Sequence, residues 1–216
     1  MDNRVPKGLA PAIVLVIGTL VLVFVRAFGS SYGEGWNDIL EFAPFYVGAI
    51  AAAFILIALY NWYADARDRR LAREHPTALV FGSEMTPALK QRLRSDPDRY
   101  SSPAVVGRAP HLFTVVADAD GITLWNGPAS NPVEFWGIDW RTVSGIRPAT
   151  HRLDYKTVRG LVFDTSTGAV LGTLEIAPRP KGPFSVSFSY SDAELTALTE
   201  RVTELWRTAR QARPSP

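Results

Sequence analysis

The sequence predicts an α-helical membrane hairpin followed by one α+β soluble domain, a small β-barrel or sandwich of about seven strands closed by a C-terminal amphipathic helix. Three observations support this fold class. Residues 42–60 carry no charge, short apolar or alternating segments recur from residue 112 to residue 190, and the chain ends in a capped, amphipathic helical pattern.

Residues 42–60 have the length and composition of a membrane-spanning helix. About 20 apolar residues in a helix cross the roughly 30 Å hydrocarbon core of a bilayer. Aromatic residues bracket the stretch: Phe42, Phe45, Tyr46, Tyr60, Trp62 and Tyr63. Because amphipathic rings favour the headgroup level, these positions indicate the two membrane interfaces. The alternative is a buried helix of a soluble core.

An earlier uncharged run, residues 9–25, follows a basic N-terminal segment and predicts a first membrane helix. A cleaved signal peptide is the alternative, but the run is longer than a usual signal core and no A-x-A site follows it. Small residues in the second span, Gly48 with Ala52 and Ala49 with Ala53, stand four apart. This spacing favours close packing of the two helices or, alternatively, self-association.

The distribution of basic residues predicts the orientation of the hairpin. Residues 27–66 contain no Lys or Arg, and four arginines follow directly: Arg67, Arg69, Arg70 and Arg73. Basic residues beside a span stay on the cytoplasmic side. We therefore expect a protein of the bacterial plasma membrane with both termini in the cytoplasm and residues 29–41 outside. The same four arginines are expected to contact anionic headgroups.

Residues 65–74 are predicted to continue the second helix beyond the bilayer. Asp65 with Arg69 and Arg70 with Glu74 have the i, i+4 spacing of helix-supporting ion pairs. Pro76 then ends the helix, since the residue before a proline is disfavoured in the α region. A second, basic helix is predicted to begin at Thr86-Pro87 and to run to about Ser95.

The remaining elements are predicted to be strands and one helix. Strand patterns occur at residues 79–81, 112–117, 122–125, 133–136, 143–147, 161–164, 170–177 and 184–190. Ser191 and Glu194 form a capping-box pattern. An apolar stripe at helical spacing follows: Leu195, Leu198, Val202, Leu205, Trp206 and Ala209. We expect this stripe to pack on the strands, with Trp206 mostly buried.

Several segments carry a family resemblance: the hairpin FTVVADADGITLWNG, the segment IDWRTVSGI, the strand GLVFDT and the capped final helix. Together, over residues 111–211, they resemble the bacterial pleckstrin-homology-like (PH-like) domain, which in many membrane proteins follows a two-helix hairpin. The resemblance implies a binding or scaffolding module and supplies no catalytic residue. Residues 77–110 depart from the pattern, because a strand, a basic helix and a proline-rich segment precede the hairpin.

The segment VVADADGIT is the one stretch of the sequence that is similar to a catalytic motif. A strand followed by Asp-x-Asp is similar to the phosphoryl-transfer motif of haloacid-dehalogenase-type phosphatases, with Asp118 and Asp120 as its carboxylates. That motif expects a hydroxyl at position 122, where this chain has Ile122, and a βαβ crossover, where this chain has another strand. Asp and Gly are also the residues of a tight hairpin turn. We therefore predict a turn at this position.

A second group of basic residues surrounds one predicted connection between strands: Arg147, Arg152, Lys156 and Arg159. Such a loop beside a membrane could hold an anionic headgroup or phosphate. The alternative is an ordinary solvated loop. The net charge of +2 gives no concentrated basic face for nucleic acid. The absence of cysteine excludes disulfides and thiolate metal sites.

The sequence thus predicts residues 1–75 as a transmembrane hairpin with a basic extension and residues 76–212 as a cytoplasmic PH-like domain. We expect an interaction or scaffold module, for example an accessory subunit of a membrane complex, and not an enzyme. Its expected partners are the bilayer and a membrane protein or a second copy of the chain. No metal or other cofactor is expected. The alternatives are a binder of anionic headgroups and a phosphatase using Asp118 and Asp120.

Overall fold

The computed structural model describes residues 36–95, 111–153, 156–167, 170–182 and 189–212. It divides into two compact units. The first extends to Trp62 and includes Gly182, and the second begins at Tyr63. The predicted first span, residues 9–25, and most of the predicted strand at residues 184–190 lie outside the described residues.

The first unit is described by one long helix. Helix α1 spans Trp36–Glu74, and its part up to Trp62 belongs to this unit. Large apolar side chains are exposed along it: Ile50, Ile55, Leu56, Ile57, Leu59, Tyr60 and Trp62. Among the residues that the structure describes, no helix is both long and apolar enough to cross a bilayer.

The second unit is an α+β domain built on a seven-stranded antiparallel sheet with the strand order β4-β3-β2-β1-β7-β6-β5. The strands are β1 (Leu79–Glu84), β2 (Leu112–Ala117), β3 (Gly121–Asn126), β4 (Val133–Asp139), β5 (Val143–Arg152), β6 (Thr157–Thr167) and β7 (Val170–Pro178). Helix α2 spans Pro87–Ser95 and helix α3 spans Asp192–Ala212. The seven strands predicted between residues 79 and 177 are confirmed, most of them longer than their patterns. They form one open sheet with β4 and β5 at its edges, and their closure into a barrel or sandwich stays a prediction.

The sheet consists of two meanders, β1–β4 and β5–β7, which meet between β1 and β7. Only Ser83↔Pro178 and Glu84↔Ala177 pair at this junction. The Ser83 hydroxyl adds a hydrogen bond to the Ala177 carbonyl at 2.8 Å. Because so few backbone pairs join the two meanders, side-chain contacts must also help to hold β1 against β7.

One face of the sheet forms the main apolar core. Phe113, Phe135 and Phe163 are fully buried there, and the rings of Phe113 and Phe135 meet edge to face with centroids 6.1 Å apart. This is the geometry that aromatic pairs prefer. Leu89 and Leu93 of α2 complete one part of the core.

Helix α3 begins and packs largely as its sequence predicts. The Glu194 amide donates to the Ser191 hydroxyl at 3.3 Å, and the Ser191 amide donates to Glu194 Oε2 at 2.9 Å, which confirms the capping box. The apolar stripe packs on the core, and its buried members are Leu195, Leu198, Val202 and Ala209. Trp206 packs against this core with only part of its ring exposed, as expected, and its indole N–H donates to the Val143 carbonyl at 3.2 Å.

The opposite face of the sheet is covered in part by the end of α1. Every residue of β2 is buried, although alternate residues of a strand point to opposite faces. Phe113, Val115 and Ala117 belong to the main core, whereas Thr114 and the Leu112 carbonyl accept hydrogen bonds from Arg67 of α1. The last turns of α1 are therefore part of the α+β domain, which begins before residue 76.

Candidate functional site: a buried charge cluster and a basic cleft

A group of buried charged side chains lies where the end of α1 meets the sheet. Asp65, Arg67 and Asp68 come from α1, Thr114 comes from β2, and Arg179 follows β7. None of these residues is more than 7% exposed. Burying charges is costly unless they are paired and hydrogen-bonded, so their contacts decide what the cluster does. We call this group the buried charge cluster.

Arg179 bridges the two carboxylates of the cluster. Its Nη1 donates to Asp65 Oδ1 and its Nη2 donates to Asp68 Oδ2, each at 2.8 Å. Its backbone amide also donates to the Gly82 carbonyl at 3.0 Å. A Cβ at Gly82 would lie 2.6 Å from both Arg179 Nε and Asp68 Oδ2. Glycine at this position in β1 therefore leaves the room in which the ion pair forms.

Arg67 makes the second set of contacts in the cluster. Its guanidinium donates to Thr114 Oγ1 at 2.8 Å, to Asn126 Oδ1 at 3.0 Å and to the Leu112 carbonyl at 3.3 Å. The Thr114 hydroxyl in turn donates to Asp68 Oδ1. Two cations and two carboxylates are thus linked through one buried threonine.

The electrostatics of the cluster are dominated by burial. Burial raises the pKa of Asp68, while the charge of Arg179 and the hydrogen bond from Thr114 oppose this shift. Tyr190, just before α3, is close enough to be affected by the same charges. Its pKa is raised by burial and then by Glu194, and Arg179 partly offsets the increase. The hydrogen bonds and ion pairs of the cluster connect the end of α1 to the sheet.

The four arginines that follow the predicted second span lie in different environments. Arg67 is buried in the charge cluster. Arg70 is half-buried, pairs with Glu74 at 2.6 Å and donates to the Ala129 carbonyl at 3.0 Å. Arg69 and Arg73 are exposed. Headgroup contact by these arginines stays a prediction, and the exposed pair is the one placed for it.

The second predicted basic group does not form one loop. Strand β5 extends to Arg152 and β6 begins at Thr157, so only four residues connect them. Arg147 pairs with Asp164 at 3.4 Å, Lys156 with Glu84 at 2.7 Å, and Arg159 with Asp192. Arg152 and Arg159 share one face of the hairpin, whereas Arg147 is on the other by strand alternation. Anion binding by this group stays a prediction.

Asp118 lies in the turn between β2 and β3. Its Oδ1 accepts hydrogen bonds from the amides of Asp120 at 2.8 Å and Gly121 at 3.1 Å. This geometry confirms the predicted turn and explains Asp at its first position. Glu134 of β4 is nearby, and its pKa is raised by burial first and by the charge of Asp118 second. Within the described part of the chain, no three His, Asp or Glu side chains are placed to hold a metal ion.

A basic cleft that the sequence does not single out lies beside α2. It has a volume of about 520 Å³ and is lined by Met85, Thr86, Pro87, Lys90, Gln91, Arg94 and His111. The spacing of Lys90 and Arg94 was the available sequence signal, since residues four apart share one face of a helix. The burial of Leu89 and Leu93 turns that face outward.

The comparisons with known proteins give no relative. No family model, no curated protein and no solved structure matches this chain.

Proposed function

We propose that this chain is a membrane-anchored interaction or scaffold module of the bacterial plasma membrane, with a PH-like domain in the cytoplasm. The observation that carries the proposal concerns α1. One continuous helix exposes large apolar side chains in its middle and contributes Asp65, Arg67 and Asp68 to the buried charge cluster at its end.

The exposed side chains of α1 support the anchoring role. Ile55, Leu56 and Leu59 are 58%, 66% and 54% exposed, and Trp62 is 61% exposed. Contiguous apolar surface of this kind marks a site of interaction with a membrane or with another protein. The membrane is proposed on the sequence pattern, the uncharged stretch of residues 42–60 with its bracketing aromatic residues, and not on the structure, in which no described helix is long and apolar enough to cross a bilayer.

The buried charge cluster supports the role of α1 as an anchor of the domain. Arg179 and Thr114 bind α1 side chains that precede Glu74, so the domain begins inside the helix and not after a linker. A helix that served only as a tether would not need buried ionic contacts. Burying a charged side chain costs free energy unless the charge is paired and hydrogen-bonded. We infer that the last turns of the helix, from Tyr63 onward, are an integral part of the domain that binds a partner.

The architecture of the domain supports the PH-like assignment. The resemblance implies about seven strands closed by one amphipathic C-terminal helix, and the domain has seven strands with α3 packed on their core. Helix α2, inserted between β1 and β2, is the departure. The expected partner is a membrane protein or a second copy of the chain.

A binder of anionic lipid is the second candidate, and the exposure of Arg69 and Arg73 favours it. The two functions predict different molecules bound to the purified protein. We would purify the full chain from native membranes in a mild nonionic detergent and identify the bound species by mass spectrometry. A stoichiometric protein partner, or a stable homo-oligomer, is the result that the scaffold proposal predicts. Monomeric protein carrying only anionic lipid would contradict it.

A further inference from the structure

The basic cleft has the size of a small-molecule site. Its volume of about 520 Å³ lies within the roughly 300–1,000 Å³ of ligand pockets. Lys90, Gln91, Arg94 and His111 are the polar side chains among its longer lining residues. None of the described residues that line the cleft is Asp or Glu. This described lining is therefore positively charged and rich in hydrogen-bond donors.

Among the described residues, no carboxylate forms an ion pair with the two cations of the cleft, and both Lys90 and Arg94 are exposed. Arg147, Lys156 and Arg159 differ in this respect, because each binds a carboxylate. An anion entering the cleft would meet the two exposed cationic side chains of Lys90 and Arg94.

The start of α2 adds to the positive character of the cleft. Thr86 and Pro87 line it, and the Thr86 hydroxyl caps the helix by accepting the Leu89 amide at 3.0 Å. The first turn of α2 contains no acidic residue. The N-terminus of a helix carries a partial positive charge, so it acts in the same direction as Lys90 and Arg94.

Helix α2 is anchored to the core of the domain. Leu89 and Leu93 are 1% and 4% exposed in the core. Between them Arg92 turns inward, where its Nη2 donates to Thr165 Oγ1 at 2.9 Å and its guanidinium lies 5.8 Å from the Trp136 ring. The helix backbone that carries Lys90 and Arg94 is therefore already ordered, which lowers the cost of ordering on anion binding.

We propose that the cleft binds a phosphate-bearing anion through Lys90 and Arg94, with the first turn of α2 and His111 completing the site. The phosphate could belong to a lipid headgroup or to a soluble phosphomonoester, and both offer the same chemistry to the cleft. The proposal goes beyond the scaffold function. It also does not depend on membrane insertion, because all of the residues concerned belong to the domain.

The test uses the full chain reconstituted in phosphatidylcholine nanodiscs and reads the hydrogen-exchange rate of the α2 amides. One arm adds millimolar glycerol 3-phosphate, and the other includes phosphatidic acid in the bilayer. Lys90→Gln/Arg94→Gln removes the two cations of the cleft. The control, Arg201→Gln/Arg207→Gln, makes the same change of charge at two exposed positions of α3. Thermal melting confirms that both variants fold.

We expect slower exchange at α2 in at least one arm for the wild type and the control. The cleft variant should need roughly thirtyfold more ligand, if each cation contributes about as much as one beside an anionic surface. Protection by glycerol 3-phosphate identifies a soluble ligand, and protection by phosphatidic acid alone identifies a lipid headgroup. No protection in either arm, or equal protection in the cleft variant, would overturn the proposal.

Discussion

Arg179 is the residue that links the two carboxylates of the buried charge cluster. It is separated from Asp65 by 114 positions in sequence and lies 2.8 Å from it in the structure. No local spacing relates these residues, so the sequence offered no signal for the contact. The pattern of residues 65–74 suggested a pair between Asp65 and Arg69, but the Asp65 carboxylate is buried and binds Arg179.

We expect Arg179→Ala to destabilise the protein strongly. It would leave Asp65 and Asp68 buried without their cation, and breaking a buried pair in this way costs roughly 3–5 kcal/mol. Arg147→Ala is the matched control, because it removes an exposed pair with Asp164 that contributes at most about 1 kcal/mol. Chemical denaturation of both variants measures the difference. Similar unfolding free energies of the two variants would show that the cluster does not stabilise the packing of α1 on the sheet.

Glu194 should make a pH-dependent contribution to stability. The hydrogen bonds from the Ser191 amide and hydroxyl lower the pKa of Glu194. Its charge therefore stabilises the folded state above the ordinary glutamate pKa of about 4.3, and this contribution is lost as the pH falls through the lowered value. We expect wild type to be more stable than Glu194→Gln at neutral pH, and the gap to narrow in acid. Thermal melts across that range test this, and a constant gap would contradict it.

At the scale of elements, local patterns predicted the sheet and α3 well. Alternation and capping residues act within a few positions, which is why β2, β3 and the start of α3 were found near their true bounds. The hairpin of β5 and β6 was predicted too short. Its outer residues mix exposed basic side chains such as Arg152 and Arg159 with buried ones such as His151 and Val158, so the pattern of apolar residues ends before the strands do.

The packing of α3 gives a third stability prediction. Leu195→Ala should cost roughly 2–5 kcal/mol because the side chain is 6% exposed in the core. Trp206→Ala should also lower the melting temperature, but by less than the truncation of a fully buried aromatic ring, since its ring is only partly buried. The exposed control Thr196→Ala should change little. A Leu195→Ala protein that melts like wild type would show that α3 does not close the core.

At the scale of the whole molecule, the predicted domain boundary and the compact units of the structure fall at different residues. Composition changes near Pro76, and the predicted boundary follows that change. The second compact unit begins at Tyr63, and Asp65, Arg67 and Asp68 are bound inside it. Charged residues after a predicted span suggest lipid contact from sequence alone, whereas burial at the sheet depends on partners far along the chain.

This boundary can be tested with two fragments. Residues 63–212 retain the buried charge cluster, whereas residues 77–212 lack its α1 residues and leave Arg179 without Asp65 and Asp68. We expect the longer fragment to unfold cooperatively and the shorter one to lose roughly 3–5 kcal/mol, a large share of the ~5–15 kcal/mol of a typical domain. Equal melting temperatures would show that the domain does not need the end of α1.

Cysteine labelling of the full chain in intact cells tests directly whether the domain lies in the cytoplasm. The chain contains no cysteine, so single introduced thiols report their own location. Ser31 lies in the loop predicted to be outside, and Ser130 is an exposed residue of the domain. We predict that Ser31→Cys reacts with a membrane-impermeant maleimide on intact cells and that Ser130→Cys reacts only after permeabilisation. Labelling of Ser130→Cys on intact cells would contradict a cytoplasmic domain anchored by α1.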